Sequence, residues 1–283
     1  MAAFSWDAEP PVLRDPLLLI ALEGFVDAGA VAATASMFLR HRWRADRVGR
    51  FDRDRFIDYR ARRPTVVIDS GEIRRLDWPT IELFAARVDG PRDALLLLGP
   101  EPDARWTEFA AAVVDICRTT GVHAAVGLGA YPAASAHTRP VRIVKAANRS
   151  GLHLAPDVPA IRGYTGPVGV GSTLDAVLGE HGVPAVELWA EIPHYIAGSP
   201  NPPGALAMVR LVAQLMGTTV DTTELEAAAK LHAEQVDEAV QGHPEAIEML
   251  RTLEAAADDE EERLPSGDDI AAEIERFLRA QGD

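Results

Sequence analysis

Leu17-Leu18-Leu19-Ile20-Ala21-Leu22-Glu23-Gly24-Phe25-Val26-Asp27-Ala28-Gly29 is the stretch that decides the fold. Its first six residues are continuously apolar, shorter than an ordinary helix, and bounded by Pro16 and Gly24. A strand with one wet face alternates apolar and polar residues. An unbroken apolar run of this length reads as a strand covered on both faces. Similar runs recur at 65–68, 94–98, 124–128, 141–144 and 185–189, and weaker ones at 73–76 and 81–86 suggest a side hairpin or extra strands. Helical stretches lie between them. Residues 28–40 follow the first strand, and in 105–119 Trp106, Phe109, Val113, Ile116 and Cys117 fall on one helical face. Two more helices are expected at 172–180 and at 204–216, the latter opened by Asn201-Pro202-Pro203. Strands alternating with helices predict a three-layer α/β/α domain over residues 1–220.

The pattern changes after residue 220. Asp221-Thr222-Thr223-Glu224 reads as a capped helix start, and Leu225, Ala228, Ala229, His232, Val236 and Val240 follow as a stripe. Gly242 stops that helix and Pro244 opens another, carrying Ile247, Leu250 and Leu253. Five acids at 258–262 precede Pro265-Ser266-Gly267 and a last helix bearing Ile270, Ile274, Phe277 and Leu278. Residues 221–283 are therefore expected to form an acidic helical appendage. They hold 19 acids against 5 bases, which is nearly all of the formal charge of −15 on the 283 residues. A negative chain with a near-neutral body argues against nucleic-acid binding through net charge.

Hydrophobic residues at 47% and charged ones at 25% exclude wholesale disorder. A single cysteine, Cys117, excludes an internal disulfide and any multi-thiolate zinc site, and its place on a helical stripe makes it a core residue. The amino-terminal residues lack a basic and then apolar leader, and no run approaches the ~20 residues of a membrane span. A cytoplasmic protein without a membrane partner is expected.

Three glycine-rich turns follow expected strands: Gly24 to Gly29, Gly127-Leu128-Gly129-Ala130, and Gly163 to Gly171 leading into Ser172. In an open α/β sheet such turns gather at the carboxyl edge, where free N–H groups at helix starts can hold an anion. None is a nucleotide signature. Ala30 and Val31 stand where a phosphate-binding loop needs Lys and Ser or Thr, and G-x-G-x-x-G is absent, so no cofactor is expected. No two of the eight histidines stand at a ligand spacing, so no metal is expected either. Candidate ligand-binding residues are Gly24, Asp27, Gly29, Gly129, Arg139, Gly171 and Ser172. His137, His194 and Asp27 are candidate proton carriers, with Glu187 and Glu191 as further carboxylates. The opposing reading assigns the glycines to tight turns and close packing.

Several short motifs, ordered along residues 17–216, resemble the proteasome assembly chaperone family of the second-subunit type, and most closely its bacterial branch. Leu22-Glu23-Gly24-Phe25-Val26-Asp27-Ala28-Gly29 resembles its opening Gly-Trp-x-Asp-Ala-Gly turn, with Phe25 for the usual tryptophan. Phe56-Ile57-Asp58-Tyr59 with Arg63-Pro64, and Gly99-Pro100-Glu101-Pro102 with Trp106, continue the likeness. So do Pro132 with His137-Thr138-Arg139-Pro140, Tyr164-Thr165-Gly166-Pro167, Leu188-Trp189 with Pro193-His194-Tyr195, and Pro200-Asn201-Pro202. The resemblance implies a fold similar to nucleoside phosphorylases and related hydrolases, with a mixed sheet. It also implies a homo-oligomer, a trimer by analogy with fold relatives, and a chaperone- or scaffold-like role with an unidentified protein partner. Members acting on proteasomes can end in a hydrophobic residue, a tyrosine and one more residue; Gln281-Gly282-Asp283 departs from that pattern. The alternative is a phosphorylase- or hydrolase-like enzyme for a small phosphate- or ribose-bearing molecule, which requires the glycine turns to converge with His137, Arg139 and His194.

Overall fold

The computed structural model describes residues 2–152, 154–161 and 163–262. Strands β1 (Phe4–Trp6) and β2 (Leu17–Glu23) come first, and a turn at 24–30 delivers the chain to helix α1 (Val31–Arg42). Next are β3 (Asp46–Phe51), the single turn α2 (Arg53–Phe56), β4 (Thr65–Asp69), β5 (Glu72–Asp77), β6 (Glu82–Ala86) and β7 (Ala94–Pro100). Helix α3 (Trp106–Thr120) leads to β8 (Ala124–Ala133) and β9 (Ile143–Ala147), then α4 (Val170–Glu180) and β10 (Ala185–Pro193). Helices α5 (Pro202–Met216), α6 (Thr223–Gln241) and α7 (Pro244–Glu262) complete the described chain. None of these helices is long and apolar enough to cross a membrane.

Eight strands form one sheet in the order β1-β3-β6-β7-β2-β8-β10-β9. The middle four, β7-β2-β8-β10, are parallel, and antiparallel strands flank them on both sides. The apolar run of β2 works as its composition requires. Leu17, Leu19 and Ala21 enter one core with Val31, Ala35 and Leu39 of α1 and Met208 and Val212 of α5. Leu18 and Ile20 enter the opposite core with Phe56, with Phe109 and Val113 of α3, and with Leu174 of α4. Each large side chain so buried contributes roughly 1.5–3 kcal/mol, and both faces of the sheet gain it. The three-layer α/β/α architecture with a mixed sheet is the one expected.

One strand expectation needs correction. Residues 65–68 do not join the buried sheet. Ser70 and Gly71 both take positive φ, 53° and 82°, the backbone of a tight hairpin turn, and fold β4 back onto β5. The resulting two-stranded arm stands in solvent along its whole length. Of the two weaker runs, 73–76 joins that hairpin, while 81–86 supplies an extra strand: β6 lies inside the main sheet between β3 and β7, with Leu83 and Phe84 buried on opposite sides. Strands β1 and β3 escaped the sequence reading because Asp46-Arg47-Val48-Gly49-Arg50-Phe51 is mostly polar, as suits a strand near an edge.

Beyond residue 220, α6 buries Leu225, Val236 and Val240 and packs on α5. The acids at 258–262 continue α7 to its end. The last expected helix, with Ile270 to Leu278, lies outside the described residues, as does His153.

Candidate functional site

All four parallel strands end at the same edge of the sheet, and the turns after them enclose a crevice. Its walls come from β2 and the Gly24–Val26 turn, from Glu101 just after β7, from Gly127 and Gly129 of β8, from Glu187 and Trp189 of β10, and from the first turn of α4. The enclosed cavity is about 40 Å³.

The glycines make room for the chain's own side chains. Gly127 pairs with Glu187 and Gly129 with Trp189 across the β8–β10 register. A methyl group on Gly127 would approach Glu187 Cγ to 2.9 Å, and one on Gly129 would approach Trp189 Cδ1 to 2.7 Å. On the other walls, a side chain at Gly171 would strike Glu187 Oε1 and one at Gly24 would strike Glu101 Oε2. Two carboxylates and an indole fill the space that the glycines leave.

Both helix starts offered to an anion by the sequence are occupied by carboxylates. Asp27 Oδ1 accepts from the Ala32 N–H at 2.7 Å, and Oδ2 accepts from the Ala33 N–H at 3.2 Å, at the head of α1. Burial pushes this carboxyl up, and the two donated hydrogen bonds pull against it. Glu101 Oε1 accepts from the Val170 N–H at the head of α4, and Oε2 accepts from the Phe25 N–H at 3.3 Å. Gly29, with φ of 64°, turns the chain toward α5: its N–H donates to the Ala197 carbonyl and its carbonyl accepts from the Asn201 N–H, each at 2.8 Å. Asn201 Oδ1 in turn caps α5 through the Gly204 N–H at 2.8 Å.

Glu187 of the crevice and Asp175 beside it are strongly perturbed acids. Each is only 7% exposed. Ser172 Oγ donates to Glu187 Oε2 at 2.8 Å, whereas Asp175 Oδ1 is buried with no hydrogen-bond partner. Burial raises Glu187 to about 7 against the donation from Ser172. Burial, and after it the Glu187 charge, raises Asp175 well above the usual carboxylate range. Two such acids side by side hold at least one proton near neutrality.

The sequence candidates fall into two groups. Gly24, Gly129, Gly171 and Ser172 surround the crevice, and Asp27 and Gly29 form the turn beside it. His137 and Arg139 line a separate groove bounded by α5 and α6. Tyr195 Oη accepts from the His137 N–H at 2.9 Å and lies 2.6 Å from His137 Nδ1, while Nε2 is 3.0 Å from Asp237 Oδ1. Thr138 Oγ1 donates to Glu254 Oε1 at 2.6 Å, and the Arg139 guanidinium binds Asp258 at 2.7 Å. Three successive residues thus hold the acidic helices α6 and α7. His194 Nδ1 is 3.2 Å from the Ala133 carbonyl, and Glu191 accepts from the Tyr131 hydroxyl at 2.7 Å. Sequence reasoning missed Glu101 as a member of the crevice and Asp175 as the acid coupled to Glu187. The available signals were an acid one residue past a buried strand and an acid beside Leu174 on the apolar face of α4. Among the described residues no group of histidine, cysteine and carboxylate side chains is arranged to hold a metal ion. Cys117 is buried in the α3 core with its thiol pushed up to about 12.

Comparison with known proteins places this architecture. A Corynebacterium glutamicum protein of unknown function is 30% identical, with a TM-score of 0.87 over 93% of this chain and 99% of its own. A Mycobacterium tuberculosis proteasome-assembly chaperone homologue is 30% identical, with a TM-score of 0.76 over 83% of this chain and 99% of its own. A PAC2 family protein from Streptomyces avermitilis is 34% identical, with a TM-score of 0.75 over 83% of this chain and 100% of its own. Comparison with curated proteins finds no match. Residues 21–240 match the PAC2 family pattern, from the end of β2 through β7, β8 and β10, nearly all of the crevice lining and most of α6; the chain belongs to the PAC2 family.

Proposed function

We propose that this protein is a chaperone- or scaffold-like protein binder that associates with itself and with a protein partner in the cytoplasm. One observation carries the reading: the β4–β5 arm. Val66 pairs with Leu76 and Ile68 with Ile73, so four apolar side chains share one face of a two-stranded ribbon. They are 43%, 43%, 59% and 73% exposed, respectively. A lone hairpin is marginal in water and an apolar face on it is a binding surface. Membership of the PAC2 family and the likeness to a proteasome-assembly chaperone homologue support the same role. A trimer is the proposed assembly, with 1–220 as the body and 221–283 as an appendage strapped to it.

The competing enzyme reading asks the crevice to hold phosphate. Asp27 and Glu101 already satisfy the helix-start donors, and Arg139 serves Asp258, which favours the binding role. The test is a photo-crosslinking residue at Ile73 in the full chain. Discrete covalent adducts are expected, with none from the same probe at Arg118 on the solvent side of α3. Equal labelling from both positions, or none from either, would remove the arm from the function.

A further inference from the structure

The crevice is lined by acids that no described basic side chain pairs with. Glu101 and Glu187 line it from two elements, with Asp175 behind Glu187 within reach of its charge, and among the described residues no lysine or arginine pairs with any of the three. Glu187 lines the cavity and is nine-tenths buried. Its Oε2 is taken by Ser172, while Oε1 accepts no hydrogen bond among the described residues. Asp175, as deeply buried and without a partner for Oδ1, stands one helical turn beyond Ser172 on the same face of α4. The cavity has roughly three times the space that one water needs. Its remaining wall includes the Trp189 ring, and its mouth is apolar: Phe25 is 66% exposed, and Val168, next to Gly169 of the lining, is 43% exposed.

We propose that this crevice is a recognition pocket for a primary ammonium group on an apolar stem, the side chain of a lysine presented by a protein partner. An ammonium brings three donors, and Glu187 Oε1, Glu101 and Ser172 Oγ supply oxygens around one small space. Trp189 offers a ring to the cation, and Phe25, Val26 and Leu22 flank a methylene stem. The same features repel phosphate and carboxylate ligands, so the glycine turns serve a cation where their sequence suggested an anion. Burial raises Glu187 to about 7, and a bound ammonium would favour its charged form. The assignment of the lysine to a protein rests on the binding role proposed above; the ammonium pocket itself does not.

The test uses the full chain at pH 8. Thermal unfolding is followed with n-butylammonium, butanol, butyrate and inorganic phosphate. Fluorescence polarisation compares a labelled nonapeptide carrying one central lysine between leucines with its norleucine twin. Butylammonium alone is expected to raise the unfolding midpoint in a concentration-dependent way. The lysine peptide should bind at least tenfold more tightly than the twin. Glu187→Gln should abolish both preferences while its own unfolding transition stays cooperative. No discrimination between charged and neutral probes, discrimination that survives Glu187→Gln, or stabilisation by phosphate would each overturn the proposal. Butylammonium binding without a lysine-peptide preference would overturn the protein-borne lysine and give the pocket to free amines; self-association, read separately by light scattering, would then stand or fall on its own.

Discussion

Glu187 of β10 and Asp175 of α4 lie within reach of each other's charge, with no described lysine or arginine paired to either, and that sets the pH response of the fold. The folded chain raises Glu187 from an ordinary 4.5 to about 7, so folding favours the protonated form. A raised carboxyl contributes stability below about 4.5 and loses it as the pH climbs through about 7. Glu187→Gln keeps the shape and an acceptor for Ser172 but removes the charge. It is expected to stabilise the protein at pH 8 by about 1–2 kcal/mol and to flatten the dependence between pH 5 and 8, as read by thermal melts across that range. A lower melting temperature at pH 8 would show that the carboxylate is paired after all. Asp27 is pushed up by burial as well, but both of its carboxylate oxygens hold backbone donors. Asp27→Ala strips acceptors from the Ala32 and Ala33 N–H groups at the head of α1 and should cost about 1–2 kcal/mol in denaturant unfolding, with Asp27→Asn recovering most of it.

Elements differ in what holds them. The body is fastened by two apolar cores, whereas α7 is fastened to the 137–139 loop by polar contacts through Glu254 and Asp258. Exposed ion pairs contribute little and weaken as salt shortens the screening length. Raising salt from ~0.05 to ~0.5 M should therefore speed amide hydrogen exchange in residues 244–262 while β2 and β8 remain protected. Equal protection of α7 at both salts would mean that Ile247, Leu250 and Leu253 anchor it instead. The arm obeys a third rule. Ile68 and Ile73 are mostly exposed, so Ile68→Asp with Ile73→Asp should leave unfolding of the isolated chain within ~0.5 kcal/mol of wild type.

At the scale of the molecule, the central sheet was legible because its parallel strands are apolar on both faces, and Leu17 to Leu22 announced two cores at once. The arm was not, because Val66-Val67-Ile68 is as apolar as a core strand and only the Ser70-Gly71 turn diverts it. The crevice was legible as a place, through its glycines, and not as a chemistry. Glu101 reaches it, and Asp175 reaches Glu187, by tertiary packing that no local spacing reports. His137, Arg139 and the glycine turns could be weighed together in sequence, yet the fold puts them in different grooves, since the 137–139 loop turns toward α6 and α7. What the whole fold displays is a body with sealed cores, helix starts capped by its own acids, and one apolar arm in solvent. Light scattering coupled to size exclusion at micromolar concentration tests this most directly. The account predicts a particle that is a multiple of 30.5 kDa for the native chain and 30.5 kDa for Ile68→Asp with Ile73→Asp. A native chain that elutes at 30.5 kDa, or a variant assembly of unchanged mass, would contradict it.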